Sequence, residues 1–321
     1  MQPSRRALLA LPVLAAPTVP RAQTAPERPL RAILPFSPGG TTDVVARVVA
    51  EAAGSLLGQP VVIENRTGAG IVVGTDAAAK AEPDGQTVLI TSSAHAIAPA
   101  LVARLPYDPA GGFTGVAVLG NIPQVVAVDP RLPVQDLAGF LALLRANPGR
   151  YAYASAGVGS AIHLGSLLFL SAAGVEMLHV PYRGGGPAMQ SVIGGETQMV
   201  IDPVASAAPH VRGGSVRGLA VGAANRSAIL PDVPTAAEAG LPDFRADAWV
   251  AVLAPARTPP AAVARLNALF NAATAKAARR LGELGVQPVP EAASPEAVTR
   301  FVLADIERVG PLLRAAGVRP E

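Results

Sequence analysis

Cysteine is absent from this chain, and lysine nearly so: all but two of its 26 basic residues, Lys80 and Lys276, are arginine. Without cysteine there are no disulfides, no thiolate metal site, no catalytic thiol and no lipidated N-terminal cysteine. Neither lysine follows a glycine, so the GxxxxGK[ST] phosphate cradle is missing. Aromatic residues make up 4% and the basic residues are scattered, which leaves no stacking platform and no basic footprint for nucleic acid. The histidines, His95, His163, His179 and His210, lack metal-ligand spacing such as HxxxH or HExxH, so neither a metal nor another cofactor is expected. Beyond the N-terminus no apolar run reaches ~18 residues without a charge, glycine or proline, so no membrane span is expected.

Residues 1–22 have the form of an export signal. Arg5 and Arg6 precede an apolar run over 7–16, and a small residue, Ala22, marks the cleavage point, with Ala25 as the other candidate. The SRRALL stretch also resembles a twin-arginine signal, so a Sec or a twin-arginine route would serve. Removing the leader takes Arg5, Arg6 and Arg21 and no acid from a formal net charge of +3, which leaves zero. The mature chain is expected to be soluble, periplasmic and monomeric, and long enough for two cores.

Strand-like apolar runs at 30–34, 61–64, 87–91, 115–119, 124–128, 151–154, 179–180, 198–201, 218–221 and 249–253 alternate with helical periodicity. Helices are predicted over 43–57, 75–81, 135–146, 160–172, 187–193, 235–239, 260–284 and 295–316. Alternation of apolar strands with helices predicts an α/β fold with mostly parallel sheets. No repeat and no low-complexity linker separates domains, so the chain should change domain through short crossings. The candidates are the strand 124–128 and the proline-rich ANRSAILPDVPT at 224–235.

Four times a strand feeds a small-residue loop that opens a helix: PFSPGGTTD (35–43), SSAHA (92–96), SAGVGSAIH (155–163) and RGGGPA (183–188). Such loops expose backbone N–H groups and the positive end of a helix dipole at the carboxyl edge of a sheet. The hydroxyls of Thr41, Ser93, Ser155 and Ser160 add directed donors. A carboxylate suits this array, since amides and hydroxyls satisfy one or two charges without a lysine clamp. GAGIVVG (68–74) has the spacing GxGxxxG and no acid ending a following strand, so a dinucleotide fingerprint is not supported.

Two further features bear on chemistry. Ser160 and His163 lie three residues apart near a helix start and would serve a secreted serine hydrolase as nucleophile and base. GxSxG is absent, however, and no acid is placed to orient His163, so Ser160 reads first as a helix N-cap and the hydrolase stands as the alternative. Asp202, ending QMVID, either reads a ligand amine or caps a helix. Trp249, the single tryptophan, reads as core.

Taken in order, PFSPGGTTDVVAR (35–47), GQPVVIENRTGAG (58–70), GTDAAAKAEPDGQTVL (74–89), LPYDP (105–109), YASAGVGSAIHL (153–164), HVPYRGGGPA (179–188), LPDVPTAAEAGLP (230–242) and APARTP (254–259) resemble the tripartite tricarboxylate transporter substrate-binding receptors, or Bug-type receptors. The resemblance implies a type II periplasmic-binding-protein fold, two lobes joined by a hinge that close on a small carboxylate and deliver it to membrane permease subunits. It implies lobe 1 at 26–125 plus 225–321 and lobe 2 at 126–224. Carried over by position, the ligand loops are 36–41, 92–95, 155–163 and 183–185. Together with Asp202 they make the candidate ligand-binding set Phe36, Gly39, Gly40, Thr41, Ser93, His95, Ser155, Gly159, Ser160, His163, Arg183, Gly184 and Asp202, with no catalytic residue. Ile71-Val72 after GAG, Arg183 and the run 184–186 depart from the family's commoner Gly-Asn, Lys and Gly-Ser-Ala.

Overall fold

The computed structural model describes residues 28–319 apart from 70, 159, 316 and 318. The expected leader at 1–22 and the candidate site residue Gly159 lie outside the described residues.

The chain opens with β1 (Arg31–Leu34), α1 (Thr41–Leu57), β2 (Val62–Asn65), α2 (Val72–Ala79), β3 (Thr87–Ser92) and α3 (Ala94–Leu101). The 16-residue β4 (Phe113–Val128) then carries it into α4 (Leu137–Ala146), β5 (Ala152–Ser155), α5 (Ala161–Ala173), β6 (Leu178–Pro181), α6 (Gly185–Gly194), β7 (Met199–Pro203), α7 (Val204–Arg212) and β8 (Arg217–Val221). The return runs through β9 (Asp247–Pro255) into α8 (Pro260–Lys276), α9 (Ala278–Glu283) and α10 (Pro295–Ala315).

The strands form one curled sheet in the order β2-β1-β3-β9-β4-β7-β5-β6, with β8 also on β4. Pairing is parallel in the outer strands, β1 with β2 and β3, and β5 with β6 and β7. It is antiparallel where β9 enters between β3 and β4, and where β4 meets β7 and β8. The first part of β4, 113–123, pairs with β9; the last part, 124–128, pairs with β7. Two halves of the molecule therefore share β4, and each half buries both sheet faces under helices, as parallel strands require.

The first half packs Leu34, Val49, Ile90, Leu119, Val252 and Phe270 on one face, and Ile33, Leu89, Trp249, Leu253 and Val302 on the other. The second half packs Phe140, Tyr153, Phe169, Ile201 and Phe244 on one face, and Val125, Val192, Val200 and Val221 on the other. A smaller cluster joins the halves: Ile97 and Ala100 of α3, Leu164 of α5, and Val309 and Leu313 of α10.

Several elements differ from the sequence reading. The strands expected at 115–119 and 124–128 are one strand, bent at Gly120, whose φ is +146°. A β-carbon there would lie 2.3 Å from Val286 Cγ1, and the neighbouring Asn121 exchanges two backbone bonds with Gln287 (2.8 and 2.7 Å). The segment 235–239 is not a helix. Thr235 and Glu238 form a reciprocal cap, but Val221 N–H donates to Pro234 O and Ala236 N–H to Val221 O, which ties the segment to β8 instead. Helix 260–284 is interrupted at Ala277. Helices α3 and α7 each contain a proline, Pro99 and Pro209, which masks them in a propensity reading. Leu230, Val233, Ala236, Leu241 and Phe244 pack with the second half.

Candidate functional site

The loop after β1 is stiffened by a side chain from the helix that it introduces. Gly39 has φ +84°, a left-handed conformation that suits glycine, and Gly40 is the extended N-cap of α1. Asp43, buried in the first turn, folds back over both. Its Oδ2 accepts from Gly39 N–H and Arg47 Nε (2.9 Å each), and its Oδ1 accepts from Asn65 Nδ2 (2.8 Å). Asn65 Nδ2 also reaches Phe36 O at 2.9 Å. Burial works to raise the Asp43 pKa, but the bonds from Arg47, Asn65 and Gly39 together outweigh it and hold the carboxyl at about 2. Gly39 N–H is thus taken by Asp43, and Gly40 N–H points to Ser37 O (3.4 Å). Among the described residues nothing accepts from the Thr41 and Thr42 amides, the outward-facing donors of this helix start.

The loop after β5 uses its hydroxyls internally. Ser155 is fully buried, with Oγ 2.7 Å from His179 Nε2 and accepting from Gly157 N–H at 3.1 Å. Ser160 caps α5: its Oγ accepts from His163 N–H (3.1 Å) and donates to Gly157 O (2.8 Å). The His163 ring stacks on His179 at 4.2 Å, and His179 stacks on Tyr153 at 4.9 Å. Burial, and then the neighbouring His179, push the His163 pKa down to about 4. Ser160 is therefore a cap in the observed loop, and the hydrolase alternative has no support from this geometry.

Gly184 is the N-cap of α6, with φ +121°, beside the exposed Arg183. Asp202 ends β7 almost wholly buried, its Oδ2 accepting from Ser206 Oγ one turn along the chain in α7. Burial pushes its pKa up to about 6 against the lowering effect of Ser206.

A cavity of about 400 Å³ brings the two halves together: Thr41 comes from α1, and Ile162, Gly185, Gly186, Met189, Gln190, Asp202, Pro203, Ser206 and His210 come from the second half. Other cavities, of about 650 Å³ beside α1 and β2 and about 270 Å³ beside α8 and α9, are lined by first-half residues and adjacent C-terminal segments only. Of the expected set, Thr41 and Asp202 line the shared cavity. Phe36, Gly39 and Gly40 shape the loop that presents Thr41, and Gly184 caps the helix whose first turn lines it. Ser155, Ser160 and His163 support the loop beside Ile162. Ser93 stands at the N-cap position of α3 without a side-chain cap bond, its N–H donating to Trp249 O (3.1 Å).

His95 is placed elsewhere. Its ring is fully buried in the first-half core, with Nε2 2.9 Å from Pro109 O, an edge contact to Phe113 at 5.4 Å and a stack on Tyr107 at 6.2 Å. Burial also lowers its pKa. Sequence reasoning missed Asp43 and Asn65, which build the first loop, and Gln190, Ser206 and His210, which line the cavity. The spacing Asp202-x-x-x-Ser206 at a helix start was the available signal for Ser206.

Comparison with known proteins adds independent findings. The profile described as "Tripartite tricarboxylate transporter family receptor" (TctC) matches residues 45–318. Protein BugT of Bordetella pertussis is 38% identical over 300 residues, covering 93% of this chain and 92% of that protein. The structure of Rpa4515 of R. palustris with adipate superposes with a TM-score of 0.77 at 34% identity, covering 92% of this chain and 99% of that one. MatC (Rpa3494) of Rhodopseudomonas palustris with bound malate gives a TM-score of 0.73 at 35% identity, covering 90% of this chain and all of that one. Among the described residues no helix is long and apolar enough to cross a membrane.

Proposed function

The chain belongs to the tripartite tricarboxylate transporter receptor family, and from that premise we propose that it is a periplasmic solute-binding receptor for a small carboxylate. The observation that carries the reading is the cavity lined by Thr41 from one half and by α6, β7 and α7 from the other. A ligand carboxylate accepts from the outward amides of Thr41 and Thr42, where the α1 dipole adds ~0.3–1 kcal/mol near the surface and more when buried. Lobe 1 comprises about 28–123 and 247–319, and lobe 2 about 124–246. They close about the β4–β9 crossing and bring the Gly184–Gly186 turn onto the ligand. The exposed Arg183 stands outside the lining of that cavity, a solvated arginine at the turn before α6. The receptor is monomeric, is exported by its 1–22 leader, and hands its ligand to membrane permease subunits. It does no chemistry on that ligand. Related structures hold adipate and malate, in keeping with a carboxylate here.

Thermal-shift screening of the mature protein against mono-, di- and tricarboxylates and amino acids tests the reading. A ligand at 100 times its Kd adds about 2.7 kcal/mol of stability. Binding of a sugar or nucleotide with no response to any carboxylate ends it. Turnover of an activated ester that disappears in Ser160→Ala would restore the hydrolase.

A further inference from the structure

Most buried carboxylates of this protein have a cation beside them. Asp43 faces Arg47 at 2.9 Å, Asp129 faces Arg131 at 2.8 Å, and Asp305 faces Arg308 at 2.5 Å. Asp202 is equally buried, at 3% exposure, yet its one described side-chain partner is the Ser206 hydroxyl. It also differs in position, because it lines the cavity shared by the two halves. Its Oδ1 lies 3.3 Å from where a β-carbon of Gly185 would stand, so the absence of that side chain opens the carboxylate to the cavity. Burying an unpaired carboxylate is unfavourable, and a group that enters the cavity and neutralises it recovers that energy.

The surroundings supply no such group from within. Among the described residues, α6 and β4 carry no titratable side chain. Helix α5 contributes His163, held in its ring stack, and β5 contributes Tyr153 in the same stack. Helix α7 contributes Arg212, which is turned to Ile229 O at 2.6 Å, and His210, which shares the cavity. The same cavity is lined by the helix start at Thr41, which comes from the other half and favours negative charge. Arg183, exposed before Gly184, is not among the residues that line the cavity, so one wall takes an anion and the other, among the described residues, holds no cation.

Resting on the receptor reading, we propose that Asp202 selects an amino acid: the ligand's carboxylate sits at Thr41 and its ammonium pairs with Asp202. The cavity volume, about 400 Å³, suits a molecule of this size. An unsubstituted dicarboxylate places a second anion against Asp202 and is rejected unless Asp202 takes up a proton. This is selection by an unfavourable contact with the wrong ligand as much as by a favourable one with the right ligand.

The test compares matched pairs by calorimetry: L-aspartate with succinate and L-malate, and L-glutamate with glutarate, on the mature protein from pH 5 to 8. The amino acid of a pair is expected to bind at least about tenfold tighter at pH 8. The pH slopes provide a readout that needs no variant. With Asp202 titrating at about 6, amino-acid affinity rises with pH up to that point and then levels. Dicarboxylate affinity falls above it, by up to about tenfold per unit. Asp202→Asn is expected to collapse both the preference and the slopes. A dicarboxylate or hydroxy acid that binds as tightly as its amino-acid counterpart at pH 8 overturns the proposal. So does an unchanged ratio or an unchanged pH slope in Asp202→Asn. If carboxylates bind without the amino-acid preference, the receptor reading survives and this inference fails. If no carboxylate of the wider screen binds, both fail.

Discussion

Asp43 accepts three hydrogen bonds and remains ionised far into acid, so its contribution can be followed by titration. Its folded pKa, about 2, lies below the unfolded value of 3.8. The stabilisation is therefore complete above about pH 4 and is lost as pH falls towards 2. His163 adds an earlier step with the same sign: its folded pKa of about 4 lies below 6.5, so stability declines as pH falls from 6.5 to 4. Urea unfolding across pH 2–7 should show both steps. Asp43→Asn should remove the lower one and lower stability at pH 7 by about 1–2 kcal/mol. At this scale the sequence was partly legible. Gly39, Gly40 and Thr41 marked the start of α1, but the side chains that stiffen that loop come from 43 and 65, and their meeting depends on β1 pairing with β2. His95 looked like a loop residue, because nothing local reveals that Tyr107, Pro109 and Phe113 close over it.

At the scale of elements, Gly120 is where β4 both bends and receives the Gln287 backbone. Gly120→Ala combines a left-handed φ with a β-carbon 2.3 Å from Val286 Cγ1 and 2.8 Å from Gln287 O. It is expected to lower stability by about 2–4 kcal/mol, measured as a fall in the urea midpoint. Gly149→Ala, at φ +68° but with nothing within 4 Å, should be milder, because only the backbone term applies. Central strand positions were readable from their apolar runs, since both faces of β3, β4 and β9 are largely buried. Helices α3 and α7 were not, because they are short and carry proline. Thr235–Glu238 shows a genuine cap signal overruled by pairing with β8, a tertiary contact that no window of sequence contains.

For the molecule as a whole, the cluster of Ile97, Leu164, Val309 and Leu313 ties α3, α5 and α10 across the two halves. Truncating the fully buried Leu313 to alanine should cost about 2–5 kcal/mol. Because that cluster joins the two halves, Leu313→Ala should also broaden the distribution of sizes in small-angle scattering of the unliganded protein. Unchanged scattering and stability would show that the cluster does not couple the halves. The α/β class and the family resemblance were visible in residue order alone. The packing of Ile97, Leu164, Val309 and Leu313 on one another was not, since those residues lie far apart along the chain.

The place of β9 between β3 and β4 has a consequence for how the chain assembles. Every strand of the second half has been made once residue 221 emerges, and its packing residues are complete with Phe244. The first half, although its strands come earlier, keeps an empty slot between β3 and β4 until 247–255 arrives. The N-terminal portion therefore finishes last, and during synthesis β3 and the first part of β4 stand as open edges. The part of the protein that carries Thr41 is thus the part most in need of protection before the chain is complete.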